Sequence, residues 1–268
     1  MARPRLDSLV LWLTDTTLIN CDTLRMQVTY PFTNRKGLTL PRTDTISFRY
    51  IKKEVKKVKG KEVKPKMEVI CNIGVSPKLD LNKTLAFTFQ FPIDSIDVSK
   101  ILFSKKKDTT WILETFRVKK DTGNYRTWDV QFKNEENKEY KLVIPAGTFM
   151  SKYNISHDTI QSNFHTEKLE YYANISVVLS HVKMPMILQL LSNEKVIREL
   201  RTKKDGKLTF DYLEQGDYSF KLIYDRNNNG VWDTGNLLQK IQPEKIDIYK
   251  QKQTVRSNSE YEIDWDVK

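Results

Sequence analysis

The sequence predicts an all-β protein built of tandem antiparallel β-sandwiches, and three observations predict it. The composition is that of strands. Four Ala stand against twenty-three Thr, beside 12 Tyr, 12 Phe and 5 Trp in 268 residues, and Thr and the aromatic residues suit a pleated, half-buried surface as Ala does not. Apolar residues recur at every second position, the period of a strand with one face buried. No stretch of twelve residues sets apolar side chains at i, i+3, i+4 and i+7 over strong helix formers. At roughly 150 residues per domain the length allows about two domains.

In chain order, residues 1–51 carry a few strand-like runs, such as SLVLWL and TISFRYI, too few to close a sandwich alone. Residues 52–66 break the alternation as a Lys-rich loop or linker. Residues 67–167 supply a full set of strands from MEVICNIG to YKLVIPAG, with Leu85, Phe87, Phe89 and Phe91 on one face of one run and Trp128, Val130 and Phe132 on one face of another. Such a set fits an Ig-like sandwich. Residues 168–268 form a second block of similar length. Here Leu208, Phe210 and Tyr212 alternate, as do Tyr218, Phe220, Leu222 and Tyr224, and then Tyr261, Ile263, Trp265 and Val267. Two turn signals, Lys204-Asp205-Gly206 and Gln215-Gly216-Asp217, predict hairpins between successive runs.

The formal net charge is +11, and one segment carries much of it. Between Lys52 and Lys66, eight lysines (Lys52, Lys53, Lys56, Lys57, Lys59, Lys61, Lys64 and Lys66) face two glutamates. The segment has no Arg for base edges and no aromatic ring for stacking, which argues against a nucleic-acid partner. A solvated hairpin tip or linker is the simplest reading. Cys21 and Cys71 are too few for a disulfide scaffold or an all-cysteine zinc site. His157, His165 and His181 match no metal-binding spacing.

The most specific motif is DRNNNGVWD. Asp225, Asn227, Asn229 and Asp233 take the first, third, fifth and ninth positions of a calcium-loop spacing, Gly230 the sixth, and the carbonyl of Val231 the seventh. Asn236 stands at the twelfth position, where an EF-hand needs a bidentate Glu, and strands flank the loop in place of helices. Two readings stay open. With only two carboxylates the loop binds calcium weakly, as a structural ion, or it is a metal-free turn whose Asn side chains satisfy their own backbone. No nucleophile with its base and no phosphate-cradling loop occurs, so no enzyme activity is expected. Asp264 and Asp266 share the solvent side of a terminal strand. Trp128 and Trp265 alternate into apolar faces and are expected in cores, whereas Tyr171 and Tyr172 cannot both face inward on one strand.

FPIDSIDVSKI, followed by KEYKLVIPAGTFMSKYNISHDTI, resembles the S-layer-type bacterial Ig-like domain of lipoproteins of Bacteroidota. KLTFDYLEQGDYSFKLIYDRNNNGVWDTGN, followed by LQKIQPEKIDIY, is similar to the prealbumin-like sandwich that closes the same proteins. Residues 1–51 resemble the preceding linker and a partial Ig-like segment. The resemblance implies a lipoprotein of the periplasm or cell surface, held to the outer membrane by a lipid anchor that lies outside this chain, with other envelope proteins as partners. It also gives a meaning to the Asp-(Ser/Thr)-(Ile/Leu/Thr) triplets, otherwise read as strand-end turns: their hydroxyls, Ser8, Thr16, Thr23, Thr45, Ser95, Thr109 and Thr159, match the form of the O-glycosylation sequon of these bacteria. The expected function is non-catalytic, a structural or protein-protein interaction module of the envelope. The alternative is a glycan or polyanion adhesion module that uses the Lys52–Lys66 loop.

Overall fold

The computed structural model describes residues 10–49, 57–58, 61–62, 65–73, 77–237 and 239–267. Among these residues every regular element longer than five residues is a strand. The chain opens with a two-stranded antiparallel ribbon, β1 (Thr23–Thr33) and β2 (Thr39–Arg49), and the two-residue strands β3 (Lys57–Val58) and β4 (Lys61–Glu62) pair after it. Ten strands follow: β5 (Val69–Cys71), β6 (Leu85–Phe89), β7 (Ile93–Ile96), β8 (Leu102–Lys107), β9 (Thr110–Leu113), β10 (Arg117–Lys120), β11 (Thr127–Gln131), β12 (Glu139–Ile144), β13 (Phe149–Ser151) and β14 (Ile160–His165). They form one sheet ordered β10-β11-β6-β5, a second ordered β14-β12-β8-β9, and the small pair β13-β7. Between the sheets lies one hydrophobic cluster. Leu85, Phe87 and Phe89 of β6 are buried, as their alternation requires, and meet Phe103, Tyr140 and Leu142. Each such side chain contributes roughly 1.5–3 kcal/mol on burial.

A second cluster is enclosed by β15 (Ala173–Ser180), β16 (Met186–Ser192), β17 (Lys195–Thr202), β18 (Gly206–Leu213), β19 (Gly216–Tyr224), β20 (Ile246–Ile248), β21 (Gln253–Val255) and β22 (Glu260–Asp266). One sheet is ordered β18-β15-β22 and the other β17-β16-β19-β20, with β21 also paired to β19. Tyr218, Phe220, Leu222 and Tyr224 of β19 all point into this cluster. The last strand joins in parallel to β15 across the whole of its length, from Asn174 opposite Glu260 to Ser180 opposite Asp266.

Two local expectations are corrected. The turns at Lys204-Asp205-Gly206 and Gln215-Gly216-Asp217 do not close hairpins, because β17 and β18 lie in different sheets, as do β18 and β19. Each turn carries the chain from one layer to the other. Gly206 and Gly216 sit at φ of 155° and 156°, a backbone that side chains resist, and so the strand can leave its plane there. The tight hairpin in this region is instead Ser192 to Lys195, with Asn193 and Glu194 both at positive φ, as a type I′ turn requires. In β18, Tyr212 does not continue the row of Leu208 and Phe210. It adopts φ 53°, the register shifts, and Leu213 takes the buried position.

Candidate functional site

Among the described residues, polar side chains gather in the long loop between β19 and β20 and in the seam between the two hydrophobic clusters.

The loop begins where β19 ends, and its first residue is buried. Asp225 accepts hydrogen bonds from Asn229 N–H at 3.0 Å and Gly230 N–H at 2.7 Å, one on each carboxylate oxygen. The alternating amides continue the pattern. Asn227 Oδ1 accepts from Asn229 N–H at 3.1 Å, Asn229 Oδ1 from Val231 N–H at 2.7 Å, and both Nδ2 groups donate to Asp233 Oδ2 at 2.6 and 2.9 Å. The spacing of one oxygen at every second residue thus serves to cap the loop's own N–H groups. Gly230 is held at φ 73°, and a Cβ there would lie 2.3 Å from the Arg201 guanidinium, which donates to the Gly230 carbonyl at 3.0 Å. Gly235, at φ 81°, is fixed more firmly, since a Cβ would meet the backbone oxygen of Ile241 at 2.6 Å.

Asn236 does not converge with the others. Its backbone bridges to Ile241 and its Oδ1 accepts from Gln239 N–H at 3.1 Å, so it heads a second turn. In its place the structure brings up Glu244, only 4% exposed, which sequence spacing missed. Its Oε1 accepts from Arg226 N–H at 2.8 Å and its Oε2 from Asp233 N–H at 3.1 Å, while its carbonyl accepts from Trp232 Nε1 at 3.1 Å. Glu244 therefore clamps both ends of the Asp225 segment. Glu244 stands between Pro243 and Lys245, and no spacing from Asp233 marks it as part of the loop. Among the described residues no three His, Cys, Asp or Glu side chains gather as a metal site.

The seam is built from the segment before β6, the short turn before β15 and the turn after β18. Tyr172 Oη, buried, donates to Asp80 Oδ1 at 3.3 Å, and Asp80 also pairs with Lys83 at 2.6 Å. Lys78 Nζ pairs with Glu214, donates to Tyr171 Oη at 3.3 Å and lies 4.7 Å from the centre of that ring. Burial disfavours the Lys78 ammonium, but its hydrogen bonds to Glu214 and Tyr171 outweigh this and raise its pKa. Burial, with the Asp80 charge behind it, raises the Tyr172 phenol likewise. Tyr171 is half-buried beside it.

The remaining candidates are spread over the surface. Thr16, Thr23, Thr45, Ser95, Thr109 and Thr159 are all exposed, the condition any modifying enzyme needs, and Ser8 lies outside the described residues. Of the basic loop, Lys66 is exposed and pairs with Asp158, and the backbones of Lys57 and Lys61 belong to β3 and β4. Lys52, Lys53, Lys56, Lys59 and Lys64 lie outside the described residues. Cys21 and Cys71 are free thiols. Asp264 and Asp266 are exposed, and Asp266 pairs with His181 at 2.5 Å. A groove of about 640 Å³ on the outer face of the β14-β12-β8-β9 sheet runs past Trp111, Glu139 and His165. Its ionic groups pair with one another, Lys106 with Glu139 at 2.8 Å and His165 with Glu167 at 3.3 Å.

No protein-family profile matches the chain, and no curated protein matches it in sequence. Solved structures do align with it. The native alpha-2-macroglobulin of Escherichia coli, over domains MG0-NIE-MG1, aligns at 10% identity with a TM-score of 0.30, covering 68% of this chain and 70% of that one. The N-terminal part of the bacterial S-layer protein SbsC aligns at 13% identity and a TM-score of 0.31, over 61% and 42%. BcpA, the major pilin subunit of Bacillus cereus, aligns at 10% identity and a TM-score of 0.20, over 89% and 77%. No helix among the described residues is long and apolar enough to cross a membrane.

Proposed function

We propose that this chain is a non-catalytic module of the bacterial cell envelope, a strut of β-sandwiches that holds or recognises another envelope protein. The observation that carries this reading is the seam. The buried Tyr172–Asp80 hydrogen bond and the Lys78–Glu214 pair couple the residue 67–167 block to the residue 168–268 block across a turn too short to act as a free tether. Coupled sandwiches extend reach and leave loops and strand edges for recognition, without an active site. The motif resemblance supports export, an outer-membrane lipid anchor outside this chain, and glycosylation at the exposed Asp-Thr and Asp-Ser hydroxyls. A weak structural calcium ion at the Asp225 loop belongs to the same reading, since the two Asp225 oxygens and the Oδ1 atoms of Asn227 and Asn229 each accept one of these hydrogen bonds and keep a second lone pair. The test is crosslinking in the native membrane followed by mass spectrometry. Specific envelope proteins joined to either sandwich are expected, and recovery of no neighbour above background contradicts the reading.

A further inference from the structure

The β1–β2 ribbon pairs without a break from Thr23 opposite Arg49 to Thr33 opposite Thr39, and this register sorts its side chains by face. One face holds the pairs Leu24–Phe48, Met26–Ile46, Val28–Asp44, Tyr30–Arg42 and Phe32–Leu40. The other holds Thr, Gln, Ser, Pro and two Arg. The apolar face should be an inner face, yet Phe32 is 42% exposed, Leu40 56%, Ile46 43% and Phe48 49%. The two charges on it are already satisfied. Asp44 accepts from Tyr30 Oη at 2.5 Å and from Arg42 Nε at 3.2 Å, and the Arg42 guanidinium lies 5.1 Å from the centre of the Phe32 ring. Covering this face therefore buries no charge away from its counter-charge.

Three observations choose the cover. The ribbon from Thr23 to Arg49 carries five Arg and Lys against one Asp, a net +4. The charge excess of the chain is concentrated at this end: residues 23–66 hold thirteen Lys and Arg against three Asp and Glu, a net +10 of the total +11. A second copy would thus bring like charge to like charge. Its face, roughly 36 Å long at about 3.3 Å per residue and two strands wide, would also bury less than the roughly 1,200 Å² of a stable interface. Edge pairing with another strand is opposed by Pro31 and Pro41. Asn34 N–H donates to the Leu38 carbonyl at 2.9 Å, and counting back from there makes Phe32–Leu40 a hydrogen-bonded pair and Pro31–Pro41 a non-bonded one. Both prolines then take outward-facing donor positions, and each edge loses an N–H.

An amphipathic element with an aromatic-aliphatic face and a positive field fits a surface that is apolar beneath and negative on top. We propose that the apolar face of β1–β2 docks on an anionic phospholipid bilayer. Phe32, Leu40, Ile46 and Phe48 enter the boundary between headgroups and acyl chains, and Arg35 and Lys36 at the ribbon tip meet the lipid phosphates. The Thr-rich face stays in water, and the open edges lie at headgroup depth, where water and phosphate satisfy them. This rests on the envelope reading above and adds a second contact to it.

The test is co-sedimentation of the full chain with vesicles of phosphatidylcholine alone or with about 30% phosphatidylglycerol, at low salt and at about 0.5 M salt, where screening is strong. The chain should pellet with the anionic vesicles only, and less at high salt. Replacing Phe32, Leu40 and Phe48 together by Ser should lower the partition constant by about tenfold or more, as lost apolar insertion requires, with the circular dichroism spectrum kept. A second variant, R35Q/K36Q, keeps the apolar face and should weaken binding to anionic vesicles several-fold. As an independent reading of depth, Phe48→Trp should add a fluorescence that lipids brominated in the acyl chain quench. Equal binding by the Ser variant would overturn the proposal in favour of charge attraction alone. No binding to anionic vesicles would overturn it, as would a dimer in sedimentation that the Ser variant abolishes, or capture of a purified envelope protein in competition with vesicles. Crosslinked neighbours without vesicle binding would remove this proposal and leave the strut, and vesicle binding without neighbours the reverse.

Discussion

The β1–β2 ribbon and strand β19 obey the same rule and end in opposite states. Both alternate apolar and polar residues, and in both the pleat gathers the apolar ones on one face. In β19 that face is shut against β15 and β18, and Phe220 and Leu222 are fully buried. In the ribbon Phe32 and Phe48 keep nearly half their surface in solvent. Alternation specifies a face, and only the rest of the fold decides whether something lies over it.

Substitution is the most forceful way to break this comparison. Phe220→Ala should destabilise the protein by about 3–5 kcal/mol, as large-to-small changes in closed cores do, and Phe87→Ala should do the same in the first sandwich. Phe32→Ala is chemically the same change and should cost no more than about 0.5 kcal/mol. Denaturant titration of the three variants measures all of it, and a ribbon variant as costly as the core variants would mean that the ribbon face is covered. Next in size is Asp225→Ala, which leaves the Asn229 and Gly230 N–H groups without their acceptor and should cost about 1–3 kcal/mol. Trp232 fluorescence reports the loop directly. If added calcium neither shifts that fluorescence nor raises the midpoint, the loop is held by its own hydrogen bonds alone.

A pH titration sharpens the contrast between closed and open regions. His157 is buried beside Phe89 and Phe149, its Nδ1 donates to the Asp158 carbonyl at 2.5 Å, and its Nε2 accepts from Phe149 N–H at 3.1 Å. Burial lowers its pKa below the ordinary 6.5. The neutral ring is therefore the folded form, and its stabilisation is full above pH 6.5 and lost as pH falls through the lowered value. His157→Gln should flatten that acid limb in melts of the first sandwich. At the seam the sign is reversed. Lys78 and Tyr172 have raised values, so their contribution is full below their unfolded values and fades at alkaline pH. A smaller effect than those of the core variants is expected from Tyr172→Phe, about 0.5–1.5 kcal/mol at neutral pH for one buried hydrogen bond, together with a flatter alkaline limb, because the phenol that would ionise is gone.

What the sequence discloses follows the range of the interaction. The inward row of Leu85, Phe87 and Phe89 is local and was legible in the alternation alone. The Asp225 spacing was legible for the same reason, since each Asn oxygen reaches an N–H two residues on. Gly206 and Gly216 announced a change of direction but not that the next strand would cross to the other sheet, because local turn chemistry does not name the receiving layer. Glu244 was illegible, lying eleven residues past Asp233 and placed only when β20 pairs with β19. The parallel pairing of β22 with β15 is a contact across more than eighty residues that no local period encodes.

Native-state hydrogen exchange of the full chain tests the central claim most directly, because it reads every strand under one condition. The amides of β6, β12, β16 and β19 should exchange only at the free energy of global unfolding, and those of β1 and β2 orders of magnitude faster through local opening. Ribbon amides protected to the same degree as those of β19 in the isolated protein would contradict the account, for they would place a third closed core where the apolar face is described as open.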